Sequence, residues 1–191
     1  LKSSLKAGLE VRGHKVELYE SSFDSLEQDV LNSESGLYAF DPTHVLFWAM
    51  DEDIPADATT EDFQTFASRQ SQLWNVLKKG LPKVQIIQTT IAIPNIRAFG
   101  HVETRTSFSR NSQLAGVNAR LLSEAPASIS IMDLDHLASA FGKTRWFDRR
   151  FWYHSKHAFA IDATAFVGNE ITRIIQAGLG QSYKCLVLDL D

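Results

Sequence analysis

Val45-Leu46-Phe47-Trp48-Ala49-Met50 is an unbroken apolar run of strand length. A strand with one wet face alternates apolar and polar residues. A run without alternation is expected where both faces are covered, as in a parallel sheet flanked by helices. An acidic loop follows, opening with Asp51-Glu52-Asp53 and extending to Asp57. Thr59 and Asp62 then have capping-box spacing. Phe63, Phe66, Ala67, Leu73, Trp74 and Leu77 form one face of a long helix. Gly80 and Pro82 stop it, and residues 84–91 make the next strand. Strand, long helix and strand in succession describe a βαβ unit.

The same alternation continues outward. Downstream, Pro94 and Gly100 mark a loop to about Ser107, and Leu114, Val117 and Leu121 stripe a helix ending before Pro126. Ile129, Ile131 and Met132 read as a strand ending at Asp133, followed by a short helix over 134–141. Gly142 opens a segment rich in Trp, Arg and His, and Val167, Ile171, Ile174 and Ile175 define a final helix before Gly178 and Gly180. Upstream, Asp41-Pro42 is a breaker, 24–31 a moderate helix and 16–19 a strand. Leu1, Leu5 and Leu9 belong to a helix closed by Gly13. The expected fold is a three-layer α/β/α arrangement around a parallel sheet. It should have at least four strands, with 45–50 and 84–91 side by side near the centre, and a first strand missing from the given sequence. Trp48, Leu77 and Ile86 are expected to be almost fully buried.

The 191 residues are 44% hydrophobic and 22% charged, ordinary values for a globular chain. A net charge of −4, without a basic run, argues against a general nucleic-acid binder. No stretch approaches the roughly 20 apolar residues of a membrane span. The single cysteine, Cys185, lies in an apolar run and has no partner for an internal disulfide. A buried thiol fits a reducing compartment, and the expectation is a cytoplasmic protein.

The last eight residues, Lys184-Cys185-Leu186-Val187-Leu188-Asp189-Leu190-Asp191, read as a short buried strand delivering two carboxylates. Strand alternation puts Asp189 and Asp191 on the same side, about 7 Å apart. Such a pair can grip a hard cation such as Mg²⁺ and leave an oxygen free to attack. The linker-like residues 178–183 precede it, so the expected domains are 1–183 and the opening strand, 184–191, of a second domain.

K-C-L-V-L-D-L-D resembles the opening of the DxDx[TV] motif of the haloacid-dehalogenase (HAD) superfamily, and in particular its FkbH-like branch. The resemblance implies that Asp189 is the phosphoryl-accepting nucleophile and Asp191 the general acid/base. It also implies Mg²⁺ held by both in the complete HAD domain, and predicts that residues 1–191 alone are inactive. Residues 1–183 resemble the SGNH (GDSL-like) hydrolase domain, of flavodoxin-like architecture, that precedes the HAD domain in FkbH-like proteins. The likeness is carried by H-V-L-F-W-A-M-D-E-D, V-Q-I-I-Q-T-T-I-A-I-P and W-F-D-R-R-F-W-Y-H-S-K-H-A-F-A. Two departures stand out. Ala49-Met50-Asp51-Glu52 lacks the Asn of the G-x-N-D block, and the positions three residues before His154 and His157 are Phe151 and His154, not Asp.

In an open α/β sheet, ligands bind beyond the carboxyl ends of the strands. The expected site residues there are Asp51, Thr90, His154 and Lys156 for substrate and His157 as a proton carrier. Asp133 to His136 reads as a helix N-terminus, and Arg145, Arg149, Arg150 and Lys156 as a solvated face or an anion pocket. The resemblance implies dephosphorylation of a phosphoglyceryl substrate and glyceryl transfer to an acyl carrier protein, in polyketide or surface-polysaccharide assembly. Two alternatives stay open: an SGNH ester hydrolase or acyltransferase, and a catalytically silent module that binds substrate or carrier.

Overall fold

The computed structural model describes residues 1–22, 25–148, 150 and 157–181. Its described strands are β1 (His44–Phe47), β2 (Gln85–Thr89) and β3 (Ile129–Met132), all parallel, in the order β1-β2-β3. The described helices are α1 (Lys2–Glu10), α2 (Leu26–Leu31), α3 (Gly36–Phe40), α4 (Thr60–Gly80), α5 (Arg110–Glu124), α6 (Leu134–Phe141), α7 (Lys143–Trp146) and α8 (Thr164–Gly178). Short 3₁₀ turns cover Asp51–Asp53, Gly100–Arg105 and Ile161–Ala163.

Strand alternation splits the core in two. Val45, Phe47, Ile86 and Ile129 pack with Val30, Phe63, Trp74, Leu77, Leu114 and Leu121 beneath the layer of α2 to α5. Ile87 and Met132 face the other side with Leu134, Trp146, Phe159, Val167 and Ile171, under α6, α7 and α8, with Leu5 of α1 packed against them. On that side α1 approaches α8 closely: a Cβ on Gly168 would meet Ser4, and one on Gly8 would meet Thr172. Central β2 also buries a polar residue, Gln88, on the first side. Its Oε1 accepts from Trp74 Nε1 at 2.8 Å and its Nε2 donates to its neighbour's Thr89 carbonyl at 2.9 Å. A buried amide satisfied in this way escapes the cost of lost water contacts.

The local signals at α4, α5 and α6 act as expected. Thr59 and Asp62 exchange capping bonds, with Thr59 N donating to Asp62 Oδ2 at 2.7 Å. Ser109 caps α5 and Asp133 caps α6, accepting from His136 N at 3.0 Å. At α1, His14 N donates to Leu9 O at 3.2 Å and Gly13 N to Glu10 O at 2.9 Å, a Schellman closure that uses the positive φ of Gly13.

Several expectations are corrected. Among the described residues the sheet has three strands, not four. Residues 16–19 form no strand: Val16 is half-buried and the rest exposed, with Tyr19 bonded to Asp29 and packed on Phe40, because no described strand offers them a ladder. The strand over 184–191 lies outside the described residues. Within the described sheet β2 is central and β1 lies at an edge, and of β1 only Val45 and Phe47 are buried. Trp48 is half-buried: it shares the second face of β1 with Leu46, also half-buried, and its ring leans on Phe159, 5.5 Å away between centroids. Helix α3, five residues without a periodic stripe, has no signal in the sequence pattern.

Candidate functional site

The loops after β1 and β2 are each fixed by side chains from neighbouring elements, while β3 passes through Asp133 directly into α6. After β1, Ala49 N donates to Thr89 Oγ1 at 2.8 Å, and Met50 N donates to Asp53 Oδ2 at 2.8 Å, closing the acidic turn. Arg110, at the first turn of α5, then clamps that turn. Its Nε donates to Asp51 Oδ1 at 2.6 Å, and Nη2 to the carbonyls of Asp51 and Ile54, each at 2.7 Å. Its Nη1 reaches Pro55 O at 2.8 Å, and the guanidinium lies over Phe63, 5.5 Å from the ring centre.

The loop after β2 is held as firmly. Asn118 of α5 accepts from Ile91 N at 2.7 Å and donates to Ile91 O at 2.8 Å. Asp135 accepts from Ile93 N at 2.7 Å, while Lys143 Nζ donates to Asp135 at 2.6 Å and to Ile93 O at 2.8 Å. Asn111 donates to the carbonyls of Pro94 and Ile96, and Asn95 donates to Thr144. Neither Arg110, Asn118 nor Lys143 was legible as part of the site. Each acts by contact with a loop distant in sequence, and no local pattern records that.

These loops enclose a cavity of about 340 Å³ at the strand ends. Asp51 and Glu52 come from the acidic turn, Pro94, Asn95 and Ile96 from the loop after β2, and Trp146, Phe147, Asp148, His157, Ala158 and Phe159 from the segment before α8. Trp146 and Phe159 form an apolar wall with ring centroids 5.1 Å apart, and Ala160 N donates to Trp146 O at 2.9 Å. Asp148 is gripped by Arg150 through two side-chain bonds, of 2.9 Å from Nε and 2.6 Å from Nη2, which hold its carboxyl below the usual carboxylate range against partial desolvation. A larger groove of about 450 Å³ lies on the outer face of α4 and α5, lined by Gln64, Arg69, Arg120 and similar polar residues. It is a solvated face away from the strand ends, and we place the site at the smaller cavity.

Of the sequence-read residues, Asp51 and His157 line the cavity together. Thr90 does not line it: it is 1% exposed, donating to Asp133 Oδ1 at 3.0 Å and accepting from Asp135 N at 3.3 Å. Its role is to tie β2 to the start of α6. Asp189, Asp191, His154 and Lys156 lie outside the described residues, as does Arg149. Of the four basic residues read as a solvated face or an anion pocket, the two described ones, Arg145 and Arg150, pair with Asp162 and Asp148. Asp51, Asn95, Asp148 and His157 offer hydrogen-bonding groups beside an aromatic wall, which suits a small organic molecule carrying hydroxyl or amide groups. Imidazole can also carry a proton near neutral pH. Among the described lining residues there is no Ser, Thr or Cys. Among the described residues, no group of three His, Cys, Asp or Glu is placed to hold a metal ion, and no helix is long and apolar enough to cross a membrane.

The family model described as "FkbH, N-terminal domain" matches residues 1–176. No curated protein matches the chain. Among solved structures, the N-terminal part of the protein BF1531 from Bacteroides fragilis, containing a phosphatase domain and complexed with Mg, shares the fold with a TM-score of 0.83 at 22% identity. The match covers 99% of this chain and 51% of that one, so the chain spans about half the length of its structural neighbour.

Proposed function

The chain belongs to the FkbH N-terminal domain family, and from that premise we propose that it is the ligand-holding module of an FkbH-like phosphatase and glyceryl transferase. The observation that carries this reading is the family match over 1–176, in a chain whose residues 184–191 read Lys-Cys-Leu-Val-Leu-Asp-Leu-Asp. The neighbour's phosphatase domain is consistent with it. In this proposal an HAD domain begins at Lys184. Asp189 attacks the phosphorus of a small phosphoglyceryl substrate and the P–O bond to the glyceryl part breaks. Asp191 gives the departing oxygen its proton, and water then cleaves the aspartyl phosphate. The hard carboxylate oxygens of Asp189 and Asp191 would hold Mg²⁺, which when bound offsets the charge of the phosphoryl group. The glyceryl group passes from an activated carboxyl of the substrate (an acyl ester or anhydride) to the thiol of a carrier protein: the C–S bond forms as the acyl C–O bond breaks, and the leaving group departs with the thiol's proton, for polyketide or surface-polysaccharide assembly in the cytoplasm. The cavity beside Trp146 and Phe159 holds the glyceryl group, or the arm that receives it, by hydrogen bonds from Asp51, Asn95 and His157.

A second reading is favoured by one observation, the imidazole of His157 within the strand-end cavity: the module itself catalyses the transfer, with His157 as base. The full-length protein separates the two. Asp189→Asn should abolish phosphate release, because an amide cannot be the nucleophile, and residues 1–191 alone should release none. His157→Ala should leave phosphate release intact. If glyceryl transfer then also stays at the wild-type rate, His157 is no base and the cavity only binds. If transfer falls at least about a hundredfold, the loss expected for a general base, the second reading holds. Magnesium-dependent turnover of an aryl phosphate by residues 1–191 would overturn the placement of the chemistry.

A further inference from the structure

The segment between β2 and α5 carries a surface that neither the core nor the cavity explains. Ile96, Phe99, Val102 and Phe108 are 57%, 49%, 67% and 70% exposed. The rings of Phe99 and Phe108 meet edge to face with centroids 5.7 Å apart. Single exposed apolar residues are ordinary, whereas a cluster of large ones marks an interaction surface. The backbone beneath is secured from within. Glu103, 5% exposed, accepts from Phe99 N at 3.2 Å, Thr106 Oγ1 donates to Val102 O at 2.9 Å, and Gln113 Nε2 donates to Ser107 O at 2.6 Å.

The charges on this surface are equally uneven. Arg69, Arg110, Arg120, Arg145, Arg150 and Arg173 each meet a carboxylate. Arg97 and Arg105, both exposed within this segment, have no carboxylate partner among the described residues. Exposed His101 lies between them, and the one acid of the segment, Glu103, is turned inward. In a chain of net charge −4, this is a local positive field around an apolar centre, a pattern complementary to an acidic protein surface.

We propose that residues 96–108 dock an acidic carrier protein, whose carboxylates meet Arg97 and Arg105 and whose apolar side chains cover Phe99, Val102 and Phe108. The proposal rests on the carrier-dependent transfer proposed above and adds where the carrier sits. Ile96 belongs to both this surface and the cavity wall, so a carrier bound here stands at the cavity mouth with its thiol-bearing arm beside the opening.

The test is binding of a purified phosphopantetheine-bearing acyl carrier protein to the full-length protein, at low and high ionic strength. Two variants are compared, Arg97→Glu/Arg105→Glu and Val102→Ser/Phe108→Ser. All four side chains are exposed and outside the cavity. Each variant should bind about tenfold more weakly or worse, the wild-type affinity should fall with salt, and phosphate release from a free phosphorylated substrate should not change. Equal carrier affinity in wild type and variants would overturn the docking surface while leaving the transfer reading intact. Wild-type protein that releases phosphate but binds no carrier at low salt would remove the carrier from both. Variants that instead alter the oligomeric mass or lower the melting temperature of the full-length protein would show that a second copy or the adjoining domain covers the surface, which also overturns it.

Discussion

Asn118 gives the sharpest test of how the cavity is built. It is 9% exposed and exchanges two bonds with the backbone of Ile91, of 2.7 and 2.8 Å, just beyond the end of β2. The carboxamide thus continues the strand's hydrogen bonding where no neighbouring strand does. Asn118→Leu orphans one buried N–H and one buried C=O, each costing about 1–3 kcal/mol, so the expected loss is roughly 2–6 kcal/mol. Asn118→Ala should cost less, because a water can enter the smaller space. Asn118→Asp keeps the acceptor for Ile91 N but, when ionised, turns a carboxylate against Ile91 O. Burial and that carbonyl raise its folded pKa above the unfolded value of about 3.9. The folded state then binds more protons than the unfolded one. The variant should therefore come closest to the wild type below about pH 4 and fall behind as pH rises through the raised pKa. Urea unfolding followed by tryptophan fluorescence, compared at equal slope, measures this directly. A loss below about 1 kcal/mol for Asn118→Leu would refute the reasoning, as would an Asn118→Asp deficit that does not change with pH.

Three further outcomes follow from the packing. Ile86→Ala, at a side chain 1% exposed in the central strand, should cost about 2–5 kcal/mol in the same assay, and a loss under about 1 kcal/mol would contradict its place in the core. Gly80→Ala should lower the melting temperature although alanine favours helix by about 1 kcal/mol. The new Cβ would strike the ring of Tyr38, whose hydroxyl is anchored to Val30 O at 2.7 Å; an unchanged or higher melting temperature would remove that clash from consideration. Desolvation holds the His44 imidazole below its ordinary 6.5. The folded state therefore takes up its proton later than the unfolded chain, and stability is lost as pH falls from about 6.5 through the depressed pKa. His44→Gln should flatten that part of the stability–pH curve, and identical curves for variant and wild type would count against the burial of His44.

The order of elements was legible because it rests on short-range patterns. The helix stripe from Phe63 to Leu77, the Thr59–Asp62 cap and the breakers at Gly80 and Pro82 are all encoded within a turn or two of chain. The apolar run after Thr43 showed a strand but not its length or its position in the sheet. Val45 and Phe47 are buried while Leu46 and Trp48, on the other face, are half-buried beside the second core, because how far each face is covered depends on what packs on it and not on how apolar β1 is. Residues 16–19 failed for the same reason: their alternation is local, and a strand needs a partner.

For the site, the sequence alone determined which loops stand at the strand ends, since parallel β-α alternation sends every strand out at the same edge. It thereby marked Asp51, whereas His157, between α7 and α8, was marked by the resemblance of its segment to the family's histidine block. Only the tertiary structure decided what holds those loops and what lies between them. Arg110 on the acidic turn, Asn118 on Ile91, Lys143 on Ile93 and Trp146 against Phe159 all join positions far apart in the chain. The same holds for Thr90, a polar residue in the right loop that the fold buries against Asp133. A side chain's type limits the bonds it can make, but which partner it meets is set by how the layers pack, and one sequence read in order does not record that distance.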